Sequence, residues 1–129
     1  CYNANPDSME KAIDFISSVT SPFKKILVLG DMRELGNDSK REHEKIGAQV
    51  ANSSASYIFL VGDEMEAAFE VAKKTRPNTE LFYFPSDSLA TMEKVAAAIR
   101  EKACKDDIIL VKGSRGMALE RIIKKLEGL

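Results

Sequence analysis

Four short, almost purely apolar runs, Ile26–Leu29, Tyr57–Val61, Leu81–Phe84 and Ile108–Val111, punctuate this chain at intervals that leave room for a helix between each pair. Continuous runs of Val, Ile, Leu and Phe suit strands buried on both faces, as parallel strands are. Between them the apolar period changes to three and four residues, which is the spacing of a helix face. Met9, Ile13 and Ile16 form one such stripe. Met65, Ala68, Phe69 and Ala72 form another, and Leu89, Met92, Ala96, Ile99 and Ala103 the clearest.

Helix-start chemistry falls at matching places. Asn5 before Pro6 reads as an N-cap with proline at the first helical position, where its missing N–H costs nothing. Ser39 with Glu42, and Asp63 with Glu66, have capping-box spacing, Ser86 or Ser88 can cap the next helix, and Ser114 a last one. The expected order is therefore helix–strand repeated four times and closed by a fifth helix. Such alternation requires right-handed crossovers and a covered parallel sheet. The expected fold is α/β: one three-layer α/β/α, Rossmann-like domain with a mostly parallel sheet over residues 1–129. The chain opens on Cys1 directly before a helix start, so the strand feeding that helix is expected to be missing, and the chain to be a piece of a longer protein.

Composition narrows the function classes. Lys and Arg number 19 against 20 Asp and Glu, for a net charge of −1, and there is no tryptophan. That balance excludes a basic nucleic-acid face, and the few aromatics are not interleaved with basic residues for base stacking. No apolar run approaches the roughly 20 residues of a membrane span. Cys1 and Cys104 lack metal-ligand spacing and a histidine partner, so a reducing compartment is expected.

In open α/β sheets ligands bind beyond the carboxyl ends of the strands. Three polar segments belong there: Tyr2-Asn3-Ala4-Asn5-Pro6, Gly30-Asp31-Met32-Arg33-Glu34-Leu35-Gly36 and Lys112-Gly113-Ser114-Arg115-Gly116. The last combines flexible glycines, a helix start and two cations, which suits an anion, although it is no P-loop and equally fits a tight turn. Asp31 could meet a ligand hydroxyl, or could bond backbone N–H groups nearby. Asn3 and Asn5 could read a base or ribose, with Asn5 equally an N-cap. His43, the single histidine, shares a stripe with Ile46, Gly47 and Val50 and reads as packed rather than catalytic. The five methionines read as core.

At these segments the chain resembles the Mur ligases, specifically the C-terminal domain of the members that add a D-alanyl-D-alanine dipeptide. The strings YNANP, LGDMRELG and VKGSR, with His43 between the last two, occur in that family's order and spacing and span nearly the whole chain. The resemblance implies a cytoplasmic ligase of peptidoglycan synthesis. ATP, with Mg²⁺, activates the carboxylate of UDP-MurNAc-tripeptide, and D-Ala-D-Ala attacks it to form an amide. The family keeps its P-loop and Mg²⁺ ligands in a central ATPase domain, over which the C-terminal domain closes. By resemblance Tyr2, Asn3 and Asn5 are candidates for ATP. Asp31, Arg33, Glu34, Lys112, Ser114 and Arg115 are candidates for substrate. No catalytic residue or metal ligand is assigned within the chain, which is expected to be inactive alone.

Two alternatives share the pattern. One is the third domain of another ATP-dependent amide ligase, of the folylpolyglutamate synthase kind. The other is a stand-alone receiver-like module, although receivers cluster acids after the first strand and need a phosphoacceptor Asp at a central strand end, an arrangement that Tyr57–Val61 with Gly62-Asp63 does not reproduce.

Overall fold

A computed structural model describes residues 4–20, 22–76, 80–86, 88–104 and 106–113. Along them run α1 (Pro6–Ser18), β1 (Lys25–Gly30), α2 (Ser39–Ala51), β2 (Tyr57–Val61), α3 (Met65–Thr75), β3 (Glu80–Phe84), α4 (Leu89–Lys102) and β4 (Ile108–Lys112). The four strands form one parallel sheet in the order β3-β2-β1-β4. This is the expected α/β architecture. The expected fifth helix, its cap Ser114 and the segment before Ala4 lie outside the described residues.

The order dictates the layers. Two successive crossovers, β1–α2–β2 and β2–α3–β3, step the same way, so right-handedness puts α2 and α3 on one face. The third returns past two strands to β4 and must cross the opposite face. The cores agree. Met9, Ile13 and Ile16 of α1, Ile46 and Val50 of α2, and Met65 and Ala68 of α3 pack with Leu27, Leu29, Ile58 and Leu60. On the other face Met92, Val95 and Ile99 of α4 pack with Ile26, Val28, Phe59 and Val61. Alternate residues of β1 and β2 thus serve both cores, which is why their runs are continuously apolar.

Edge position explains where the sequence pattern is weaker. β1 is buried along its whole length and β2 from Ile58 onward, whereas β3 beyond Glu80 and β4 are half-buried. Leu89, expected on the α4 stripe, is 52% exposed. It is the first helical residue, one turn short of Met92, where burial begins.

Caps differ in instructive ways. Asn5 caps α1 as expected, its side chain accepting from Ser8 N–H while Ser8 Oγ accepts from Asn5 N–H. Ser88 caps α4 by accepting from Thr91 N–H. The expected Ser39–Glu42 box does not form. A 3₁₀ turn at Gly36–Asp38 leads straight into α2, so Ser39 is already helical and its N–H bonds the Gly36 carbonyl. Nor does Asp63 cap α3 with its side chain, because Asp31 reaches that helix start from the preceding crossover.

Candidate functional site

Parallel pairing aligns the strand ends. Gly30 lies opposite Val61, Val61 opposite Phe84, and Lys112 opposite Leu29. The loops leaving β1, β2 and β3 therefore emerge on one edge. They enclose a cleft of about 420 Å³, lined by residues 31–36 with Ser39, by Gly62, Asp63 and Glu64, and by Pro85 and Ser86. Small-molecule sites have volumes of roughly 300–1,000 Å³. The sense of the strand order reverses between β1 and β4, whereas this cleft lies over the ends of β1, β2 and β3.

The cleft wall is held by cross-loop bonds. Asp31 is 5% exposed, and its Oδ1 accepts the Met65 N–H at 3.0 Å, with the Glu64 N–H also directed at the carboxylate. The carboxylate thus sits on the positive end of α3 and satisfies free N–H groups there. Burial nonetheless holds the Asp31 carboxyl above its ordinary value of 3.8, outweighing the Glu64 and Met65 N–H groups and the positive charge of Arg33.

A second tie joins the same loops. Ser39 Oγ donates to Glu64 Oε2 at 2.7 Å. The Ser39 carbonyl accepts from His43 Nδ1 at 2.8 Å, and His43 Nε2 accepts the Met32 N–H at 3.0 Å. His43 is fully buried and hydrogen-bonded at both nitrogens, the packed role read from its stripe.

Past Met32 the loop turns outward. Arg33 and Glu34 are exposed, and Glu34 has φ of 66° and Gly36 φ of 57°. A left-handed glutamate costs about 1–3 kcal/mol and persists where its surroundings impose it.

The structure thus gathers Asp31, Arg33 and Glu34 into one cleft. Lys112, half-buried at the end of β4, and Asn5, at the head of α1, do not line it. Tyr2, Asn3, Ser114 and Arg115 lie outside the described residues. Sequence reading missed the contribution of Gly62, Glu64 and Pro85. The signal was present, since each follows an apolar run at the carboxyl edge. Among the described residues no group of three or more His, Cys, Asp or Glu could hold a metal ion, and no helix is long and apolar enough to cross a membrane.

A four-stranded parallel sheet in this order, covered by helices on both faces and open at its carboxyl edge, defines an α/β, Rossmann-like domain. The chain belongs to the Mur ligase family: the Mur ligase, glutamate ligase domain matches residues 1–115. It is 38% identical over 128 residues to UDP-N-acetylmuramoyl-tripeptide--D-alanyl-D-alanine ligase of Bacillus subtilis, covering 97% of this chain and 26% of that protein. The protein of that name from Treponema pallidum is 35% identical over 122 residues, covering 95% of this chain and 25% of its own length. Among solved structures, MurF from Acinetobacter baumannii superposes with a TM-score of 0.78 at 30% identity, over 97% of this chain and 26% of that one. MurF ligase from Thermotoga maritima, in complex with ADP, gives 0.74 at 27%, over 98% and 26%. The chain therefore spans about a quarter of the length of the relatives it matches. The folylpolyglutamate-synthase-like and receiver-like readings find no support in these matches.

Proposed function

We propose that this chain is the C-terminal closing domain of a cytoplasmic, ATP-dependent ligase that adds D-Ala-D-Ala to UDP-MurNAc-tripeptide in peptidoglycan synthesis. The observation that carries this reading is the cleft at the carboxyl edge, formed around the LGDMRELG string on which the resemblance rests, in a chain 38% identical to a dipeptide-adding ligase. Its charge fits the dipeptide. Asp31, Glu34, Asp63 and Glu64 offer carboxylates to an ammonium group, and Arg33 offers a fork to a carboxylate. D-Ala-D-Ala carries one of each.

The same charges repel a triphosphate, so the nucleotide belongs elsewhere. Asn5 has its side-chain oxygen engaged by Ser8 N–H and keeps its amide nitrogen for an adenosine group, together with Tyr2 and Asn3. Lys112, with Ser114 and Arg115, suits an anionic acyl phosphate or the dipeptide carboxylate, since preorganised cations in a closed site stabilise developing charge. By the family resemblance, the Mg²⁺ ligands belong to the central ATPase domain over which this one closes.

The test is phosphate release by the full-length ligase given ATP, UDP-MurNAc-tripeptide and D-Ala-D-Ala. Turnover is expected, and Arg33→Ala is expected to raise KM for the dipeptide about tenfold or more, the loss of one charge-assisted contact. Turnover with a folate and glutamate instead, or turnover by this chain alone, overturns the reading.

A further inference from the structure

We propose that His43 is a positioning residue of the cleft: its neutral ring, protonated at Nδ1, holds the Met32 amide and so fixes the loop that presents Arg33 and Glu34. The role rests on the reading of this cleft as the dipeptide subsite.

Two of the ring's partners are backbone atoms with fixed chemistry, and the third, Ser39 Oγ at 3.2 Å from Nδ1, gives its own proton to Glu64 Oε2 and so faces Nδ1 as an acceptor. The Ser39 carbonyl can only accept, so Nδ1, 2.8 Å away, carries the proton. The Met32 N–H can only donate, so Nε2, 3.0 Å away, is bare. A ring protonated at both nitrogens would set one donor against another. The imidazole is therefore a specific acceptor aimed at one peptide group, which no apolar side chain of its volume can replace.

That peptide group is the pivot of the loop. It joins Asp31, whose carboxylate is bound to the start of α3, to Met32, whose amide is bound to α2 through His43. Both helices are in turn fixed to each other, because Gly47 of α2 lies directly on the Ala68 backbone of α3. The loop is thus pinned to two closely packed helices immediately before Arg33 and Glu34, which line the cleft. Loss of the Nε2 acceptor frees the second pin and leaves the first. The expected consequence is a displaced pair of substrate contacts in a folded domain.

His43 is the single histidine, so its ring can be followed without assignment ambiguity. In this chain, long-range proton–nitrogen NMR is expected to show the proton on Nδ1 and a bare Nε2 accepting a hydrogen bond. His43→Gln retains an acceptor at about the reach of Nε2, whereas His43→Phe retains only volume. Exchange of the Met32 amide is expected to rise about tenfold or more in His43→Phe and to stay near wild type in His43→Gln. In the full-length ligase, His43→Phe is expected to raise KM for D-Ala-D-Ala about tenfold with kcat within about twofold, and His43→Gln to restore it.

A proton on Nε2, an unchanged KM in His43→Phe, or equal loss in the two variants overturns the proposal. A wild-type ligase that ignores D-Ala-D-Ala, with the ring and amide results as expected, overturns the ligase reading and supports the positioning of the loop.

Discussion

Gly62 lies against the carboxyl group of Asp31, at φ of +115°, so closely that a β-carbon on Gly62 would occupy the place of the carboxyl atoms. The relation ties the loop after β2 to the loop after β1 and lets Asp31 reach the start of α3. Gly62→Ala meets two obstacles, a left-handed backbone and a fixed carboxylate. Each is worth on the order of 1–3 kcal/mol, so the variant should lose about 2 kcal/mol or more in urea denaturation. A loss below about 0.5 kcal/mol, the level of an innocuous surface change, would show that the loops do not meet as described.

Gly47→Ala tests the helix contact beneath the cleft. In an isolated helix the change should stabilise by about 1 kcal/mol. Here the added β-carbon runs into the Ala68 carbonyl and Cα, which are backbone and cannot rotate away. Overpacking of this kind costs about 1–3 kcal/mol and exceeds the propensity gain where α2 and α3 must separate. The net sign should be destabilising by urea denaturation, with faster exchange of the Met65 amide that Asp31 holds. A stabilised variant would mean that the helices have room to part.

The pattern of apolar runs made the sheet legible because β1 and β2 are buried on both faces, and their strand limits differ from the runs by at most one residue at either end. Strand order, and with it the cleft, was not written in any local string. It follows from which crossovers step the same way. The capping signals failed for a related reason. Asp63 and Ser39 have the right spacing, but the true acceptor at the start of α3 is Asp31, 34 residues away in sequence. The same distance hid the site's makeup: Arg33 and Glu34 were visible in one string, whereas Gly62 and Glu64 join them only after β2 pairs with β1.

Burial raises the folded carboxyl of Asp31 above its ordinary value of 3.8. The folded state then binds more protons than the unfolded state above that pH, and its stability falls as pH rises through the window. Asp31→Asn removes the ionisation, while its carboxamide oxygen can still accept the Met65 N–H. Urea denaturation from about pH 4 to pH 7 should therefore show the variant gaining on wild type as pH rises, then running parallel. A variant that loses ground with rising pH would mean that the α3 N–H groups outweigh burial.

Tyr83 supplies the opposite end of the pH scale. Its ring stacks on Phe69 at 5.4 Å between centroids, and burial pushes its hydroxyl up to about 12, with Glu66, Asp63 and Asp31 adding in that order. The folded phenol holds its proton where the unfolded one, at 10.0, has lost it, so Tyr83 stabilises less as pH rises from 10.0 towards 12. Because there are three tyrosines, its titration is best read as the phenolate absorbance of wild type minus that of Tyr83→Phe. The midpoint should lie near 12 and fall in Glu66→Gln, which removes the largest of the three carboxylate contributions. A midpoint at 10.0 would place the hydroxyl in open water and detach it from Glu66, Asp63 and Asp31. With the midpoint near 12, Tyr83 adds no charge to the field of Glu66, Asp63 and Asp31 at neutral pH.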